Sequence, residues 1–136
     1  MLGVYIHIPF CNKICNYCDF CSFPDADGML MSAYVDELIR RINSFASAHG
    51  RRRVDTVYFG GGTPSLLSHQ QLKQIFNTIE DCFNISEVQE ITLECNPDDI
   101  SDTFLNSLKD LPINRISMGI QSFNDATLRF LRRRHN

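Results

Sequence analysis

Four of the six cysteines in this 136-residue chain fall in one short stretch, "PFCNKICNYCDFCSF", residues 9–23. They are Cys11, Cys15, Cys18 and Cys21. The thiolate is the form of cysteine that ligates metals and attacks electrophiles, so four thiols in one loop point to metal or redox chemistry. Cys11, Cys15 and Cys18 form a CxxxCxxC pattern. Structural zinc is normally held by two ligand pairs about twelve or more residues apart, and no second pair stands at that distance here. A single loop can instead place three thiolates on three corners of an iron–sulfur cube, for which cysteine is the standard ligand. Three ligands would leave the fourth iron open to a substrate or cofactor. Zinc is the alternative use of the same thiols.

The rest of the composition bears on this choice. The start, "MLGVYIHIPFC", lacks a basic segment followed by a long apolar stretch, so no signal peptide is expected. No run approaches the ~18 apolar residues of a transmembrane helix. The expected compartment is the reducing cytoplasm, where clustered cysteines serve metals or catalysis rather than disulfides. Hydrophobic content of 43% and charged content of 21% are those of a soluble globular domain. A net charge of −3 gives no bulk attraction to nucleic acid or anionic membrane. Two basic runs, Arg51–Arg53 and Arg132–Arg134, read as a solvated loop and a helix end. Cys82 and Cys95 read as core thiols.

The elements that must position the loop alternate strand and helix. "GVYIHI" (3–8) reads as a strand, and "SAYVDELIRRINSFASAH" (32–49) as a helix with Val35, Leu38, Ile39, Ile42 and Phe45 at helical spacing. "VDTVYFGGG" (54–62) is strand then turn, and Ser68 caps a helix through Leu72, Ile75, Phe76 and Ile79 to about Phe83. "EITLECNP" (90–97) is a strand stopped by Asn-Pro, and Ser101 caps a short helix. "NRISMGIQSF" (114–123) is a strand, and Asn124 caps a last helix, "DATLRFLRR". Four βα units predict an α/β fold with a parallel sheet.

Parallel strands covered on both faces are almost wholly apolar. These alternate: Tyr5 and His7 in the first, Thr92, Glu94 and Asn96 in the third, Ser117, Gly119 and Gln121 in the fourth. Period two puts each polar set on one face. A sheet with one polar face suits an open barrel around a ligand, with chemistry at the C-terminal strand ends. Those ends carry Pro9–Cys11, Gly60–Gly62, Glu94–Asn96 and Gln121–Ser122, and the cysteine loop leaves from the same end.

"YIHIPFCNKICNYCDF" resembles the cluster loop of radical S-adenosylmethionine (SAM) enzymes, and more narrowly the family of oxygen-independent coproporphyrinogen III oxidases and HemW-like heme chaperones. "YFGGGTPSLLS" (58–68), "ITLECNPDDIS" (91–101) and "NRISMGIQSFNDATLRFLRRRH" (114–135) are similar to that family's later motifs, in order, over essentially the whole chain. The resemblance implies a 4Fe-4S cluster on Cys11, Cys15 and Cys18, with SAM on the open iron. In such proteins electron transfer from the cluster to the sulfonium yields a 5′-deoxyadenosyl radical. It further implies that Tyr17 packs near the adenine. Gly61, Gly62 and Thr63 would contact the methionine end, where glycine lets the backbone come close. Glu94 would accept hydrogen bonds from SAM or its ribose. Gln121 would contact SAM, Arg133 would offer its guanidinium to the carboxylate, and Tyr5 would stand at SAM. His7 is read as a structural histidine or a cluster contact.

Two positions place the chain within that family. The oxidase branch has a further cysteine two residues after its third ligand; here that residue is Phe20, and Cys21 comes one residue later. "CDF" (18–20) resembles the chaperone branch. Arg132 stands where that branch usually has glycine. A full (β/α)₈ barrel needs about 250 residues, so residues 1–136 are expected to be an incomplete N-terminal part of a radical SAM core: four units of a truncated (β/α)₆ barrel. Heme or porphyrinogen, an electron donor, and the remaining chain or a partner for stability are the implied partners; nucleic acid is not. The functions open are a heme chaperone, a coproporphyrinogen III oxidase, or an inactive fragment.

Overall fold

The computed structural model describes residues 2–25 and 28–136. Four strands, β1 (Gly3–Ile8), β2 (Thr56–Gly61), β3 (Glu90–Cys95) and β4 (Arg115–Met118), form one sheet in the order β1-β2-β3-β4. All three pairings are parallel. The crossovers carry α1 (Met29–His49), α2 (His69–Cys82) and α3 (Asp102–Ser107), and α4 (Asp125–Phe130) follows β4. This is the α/β class that the alternation predicts.

One face of the sheet is the core. Ile6, Ile8, Val57, Phe59, Ile91 and Leu93 are buried there against Val35 and Ile42 of α1 and Leu72, Ile75, Phe76 and Ile79 of α2. The Phe59 and Phe76 rings meet with centroids 5.0 Å apart. Burial of side chains of this size contributes roughly 1.5–3 kcal/mol each, so this face holds the fold together. Cys82 and Cys95 lie in the same core.

The caps explain the helix starts. Ser68 and Gln71 form a reciprocal capping box on α2. Ser101 and Asn124 accept from the backbone of Phe104 and Thr127 to start α3 and α4. Helix α1 begins at Met29, three residues before the expected Ser32, because the Asp25 carboxylate reaches forward to the Met31 N–H at 2.7 Å. Two 3-10 turns, Pro64–Leu66 and Pro97–Asp99, were not expected; each begins with proline, whose fixed φ suits a first helical position.

The second face differs from expectation at two places. Thr92 is fully buried, its hydroxyl bonded to Glu90 Oε1 at 2.8 Å and to Arg115 Nη1 at 3.2 Å. It belongs to the floor of the sheet rather than to a ligand site. The fourth strand stops at Met118 rather than Phe123. Beyond it, Ile120 N–H bonds to Met118 O and Ser122 N–H to Ile120 O, i to i+2 bonds that replace the ladder. Gln121 takes φ 71° there. Strand β4 is an edge, with Ile116 and Met118 exposed.

Candidate functional site

The cysteine loop grows from the C-terminal end of β1 and is closed at its base. Phe10 and Phe23 form an isolated parallel bridge, with Cys11 N–H on Phe23 O at 3.1 Å and Phe23 N–H on Pro9 O at 2.8 Å. Inside the loop, Cys18 N–H bonds to Cys15 O at 3.1 Å. All six cysteines are free thiols. Cys11, Cys15 and Cys18 are half-buried and line a cavity of about 320 Å³; Cys21 is exposed and is not on its wall.

The strand ends make the opposite wall. At Gly61 the backbone turns through φ 116°, and a Cβ would stand 2.8 Å from the His7 ring. At Gly62 a Cβ would come within 2.6 Å of Phe10 O and 3.0 Å of Cys11 Sγ. Only glycine lets β2 run this close beneath the loop. Thr63, next in sequence and buried, sends its hydroxyl to Cys11 Sγ at 3.3 Å and receives Asn96 Nδ2 at 3.3 Å.

Arg133 completes the ring from the far end of the chain. Its Nη2 donates to Asn96 Oδ1 at 2.6 Å and to Gly119 O at 2.8 Å; its Nη1 reaches Cys15 Sγ and Tyr17 Oη, each at 3.3 Å. A polar path therefore runs Cys11–Thr63–Asn96–Arg133–Cys15. The reading of Arg132–Arg134 as a solvated helix end is corrected here: Arg133 is drawn into the cavity wall.

Glu94 lies on the same wall. Its Oε1 accepts from Tyr58 Oη at 2.5 Å and its Oε2 from Gly61 N–H at 3.3 Å. The hydrogen bond to Glu94, and then burial, hold the Tyr58 hydroxyl above its usual pKa, so it remains a donor. Burial raises Tyr17 as well, against the lowering pull of Arg133. Burial, followed by the charge of Asp99, pushes the Cys95 thiol up to about 12, which keeps it protonated.

The cavity wall brings together Cys11, Cys15, Cys18, Tyr17, Gly61, Gly62, Thr63, Glu94, Gln121 and Arg133. Tyr5 is not on it. Its hydroxyl pairs with His7 Nδ1 at 3.0 Å, and its ring lies over Tyr58 at 6.1 Å between centroids. Sequence reasoning missed Tyr58 and passed over Asn96 as a named site residue. Both were open to the period-two rule: Tyr58 falls in register between Tyr5 and Thr92, and Asn96 extends the Thr92, Glu94 series.

The donor set itself bears on what the cavity can hold. Three thiols of one loop, Cys11, Cys15 and Cys18, line it, with Arg133 beside Cys15. An iron–sulfur cube takes one thiolate per iron, so a set of three cysteines and no other ligand type fits the chemistry of such a cluster.

Residues 5–136 match the profile described as the Radical SAM superfamily. The chain is 42% identical over 133 residues to the heme chaperone HemW of Lactococcus lactis subsp. lactis (strain IL1403), covering 98% of this chain and 34% of that one. It is 39% identical over 141 residues to HemW of Bacillus subtilis (strain 168), covering 99% and 36%. Its fold superposes with a TM-score of 0.87 and 32% identity on a solved structure of coproporphyrinogen III oxidase (HemN) from Escherichia coli, described as a radical SAM enzyme, covering 99% of this chain and 31% of that one. The chain thus spans about a third of the length of these relatives.

Proposed function

The chain belongs to the radical SAM superfamily, and from that premise we propose that it is the cluster- and SAM-binding part of a heme-handling protein of the chaperone kind. The observation that carries this reading is the cavity in which Cys11, Cys15 and Cys18 face the glycine turn, Glu94 and Arg133. In this reading residues 1–136 are the N-terminal part of the core, and the rest of the barrel lies outside it. Cys11, Cys15 and Cys18 hold a 4Fe-4S cluster. Gly61, Gly62 and Thr63 bring backbone up to the methionine end of SAM, Arg133 takes the carboxylate, Tyr17 flanks the adenine, and Glu94 and Gln121 complete the contacts, while Tyr5 stands off the wall against Tyr58. Together, when bound, cluster and SAM supply reductive cleavage of the sulfonium. The chain's own residues orient the ligand. Glu94, held by Tyr58, keeps one oxygen for the Gly61 N–H and the cavity. Arg133 places a fixed positive charge where an anion would sit, and the Phe10–Phe23 bridge keeps the loop closed over the strand ends.

Phe20 favours the chaperone. It stands two residues after Cys18, lines the cavity and is 63% exposed, so an apolar face rather than a further thiol meets whatever enters. The partner in this reading is heme, the protein works in the cytoplasm, and an electron donor must reach the cluster. Among the described residues no helix is long and apolar enough to cross a membrane. The alternative, oxidative decarboxylation of a porphyrinogen, is favoured by the closeness of the HemN fold. An inactive fragment is the third reading. Heme titration beside a SAM-cleavage assay, on the chain continued to its natural C-terminus, separates them. Tight heme binding without porphyrinogen turnover supports the chaperone. Deoxyadenosine with decarboxylated porphyrinogen supports the oxidase, and neither activity leaves the fragment.

A further inference from the structure

After α4 the chain reverses in a Schellman turn: Arg133 N–H bonds to Leu128 O at 2.9 Å and Arg132 N–H to Arg129 O at 3.0 Å, with Arg132 at φ 57°. The reversal sends two adjacent arginines to one short turn that follows β3. Arg133 takes Asn96. Arg134 bridges the next two carboxylates, Nε on Asp98 Oδ2 at 2.7 Å and Nη2 on Asp99 Oδ1 at 2.9 Å. The second oxygen of Asp99 accepts from Ser65 Oγ at 2.6 Å, and Ser65 is buried. A single exposed ion pair contributes little, but a fork across two carboxylates is geometrically specific. Only 12% of the Asp99 side chain and 25% of that of Asp98 are exposed.

The Nη groups of Arg133 are held by Asn96, Gly119, Cys15 and Tyr17. Among the described residues, however, its Nε is buried without a hydrogen-bond partner, an arrangement that a side chain placed by its own contacts alone would relax. We propose that Asp98 and Asp99 are positioning residues: by gripping Arg134, and through Ser65, they fix segment 132–134 so that Arg133 is presented to Cys15, Tyr17 and the cavity. This rests on the reading of that cavity as the SAM site. Asp98 and Asp99 touch neither thiols nor ligand in this role; they act through Arg134.

The test uses D98N/D99N in the 136-residue chain, with two readouts. The first is the heteronuclear NOE of the Arg133 Nε–H, measured without ligand. It is expected to fall to the value of the exposed arginines. The second is the dissociation constant for S-adenosylhomocysteine after cluster reconstitution. It is expected to rise about tenfold, the low end for partners that orient a binding group. In an R133M background the same pair of changes is expected to add nothing. An unchanged Arg133 NOE in D98N/D99N, or an equal loss of affinity in the R133M background, overturns the proposal. If the double variant does not fold, D98N alone, which leaves the Ser65–Asp99–Arg134 link, is expected to give a partial fall in the NOE; no fall overturns it. Failure of the unaltered chain to bind S-adenosylhomocysteine counts against the SAM reading, while the NOE still decides the role of the two aspartates.

Discussion

Arg133 Nη1 stands 3.3 Å from the sulfur of Cys15, although 118 residues separate them in the chain. The contact joins the first strand's loop to the last helix's exit across the whole sheet. Its consequence is testable: R133M is expected to weaken S-adenosylhomocysteine binding at least tenfold while cluster content stays as it was. R133K is expected not to restore binding, because an ammonium cannot span Asn96, Gly119 and Cys15 as a planar fork does. Titration calorimetry alongside iron analysis checks both.

Gly62 is a close-approach position rather than a flexible one. A methyl group there would meet the Phe10 carbonyl at 2.6 Å. Since that neighbour is backbone, G62A must move the loop. The expected cost is about 1–3 kcal/mol, as for other overpacked sites, with loss of iron binding. Urea denaturation gives the first and colorimetric iron assay the second; full iron occupancy in G62A would show that the strand and loop can separate without harm.

Arg132 holds the left-handed position of a Schellman turn that glycine usually fills. For a residue with a Cβ that conformation costs about 1–2 kcal/mol. Glycine would remove this cost but lose about 0.4–1 kcal/mol through a more flexible unfolded chain. The balance predicts that R132G is stabilised, by up to about 1.6 kcal/mol. A melting temperature below that of the parent chain would contradict this.

That turn also shows what could and could not be read from the sequence. The cysteine loop, the glycine turn and the strand–helix alternation were legible because each is a local pattern. The end of α4 was not, because arginine instead of glycine hides the stop signal, and the helix was expected to run on through Arg133. The Arg134 bridge to Asp98 and Asp99 was not legible either, since no spacing rule links residues so far apart in the chain. Tyr58 was within reach of the alternation rule, but its role depends on meeting Glu94 across the β2–β3 register.

Asp110 ties α2 to the turn after α3 through Lys73 Nζ at 2.9 Å and His69 Nε2 at 2.8 Å. The Lys73 hydrogen bond first, then that of His69, lower its carboxyl to about 2. A depressed carboxylate pKa contributes stability that is present above the unfolded value of about 4 and is lost as pH falls through the folded value. The melting temperature is therefore expected to fall less steeply between about pH 4 and pH 2 in D110N than in the parent chain. Parallel curves would contradict the assignment.

The central claim is that Cys11, Cys15 and Cys18, and not Cys21, hold the cluster. It is tested most directly by iron and sulfide content after anaerobic reconstitution of the chain and its four single Cys→Ala variants. The expected result is about four irons and four sulfides per chain in the parent and in C21A, with loss of both in C11A, C15A and C18A. Full occupancy in any of those three, or collapse in C21A, would contradict the account.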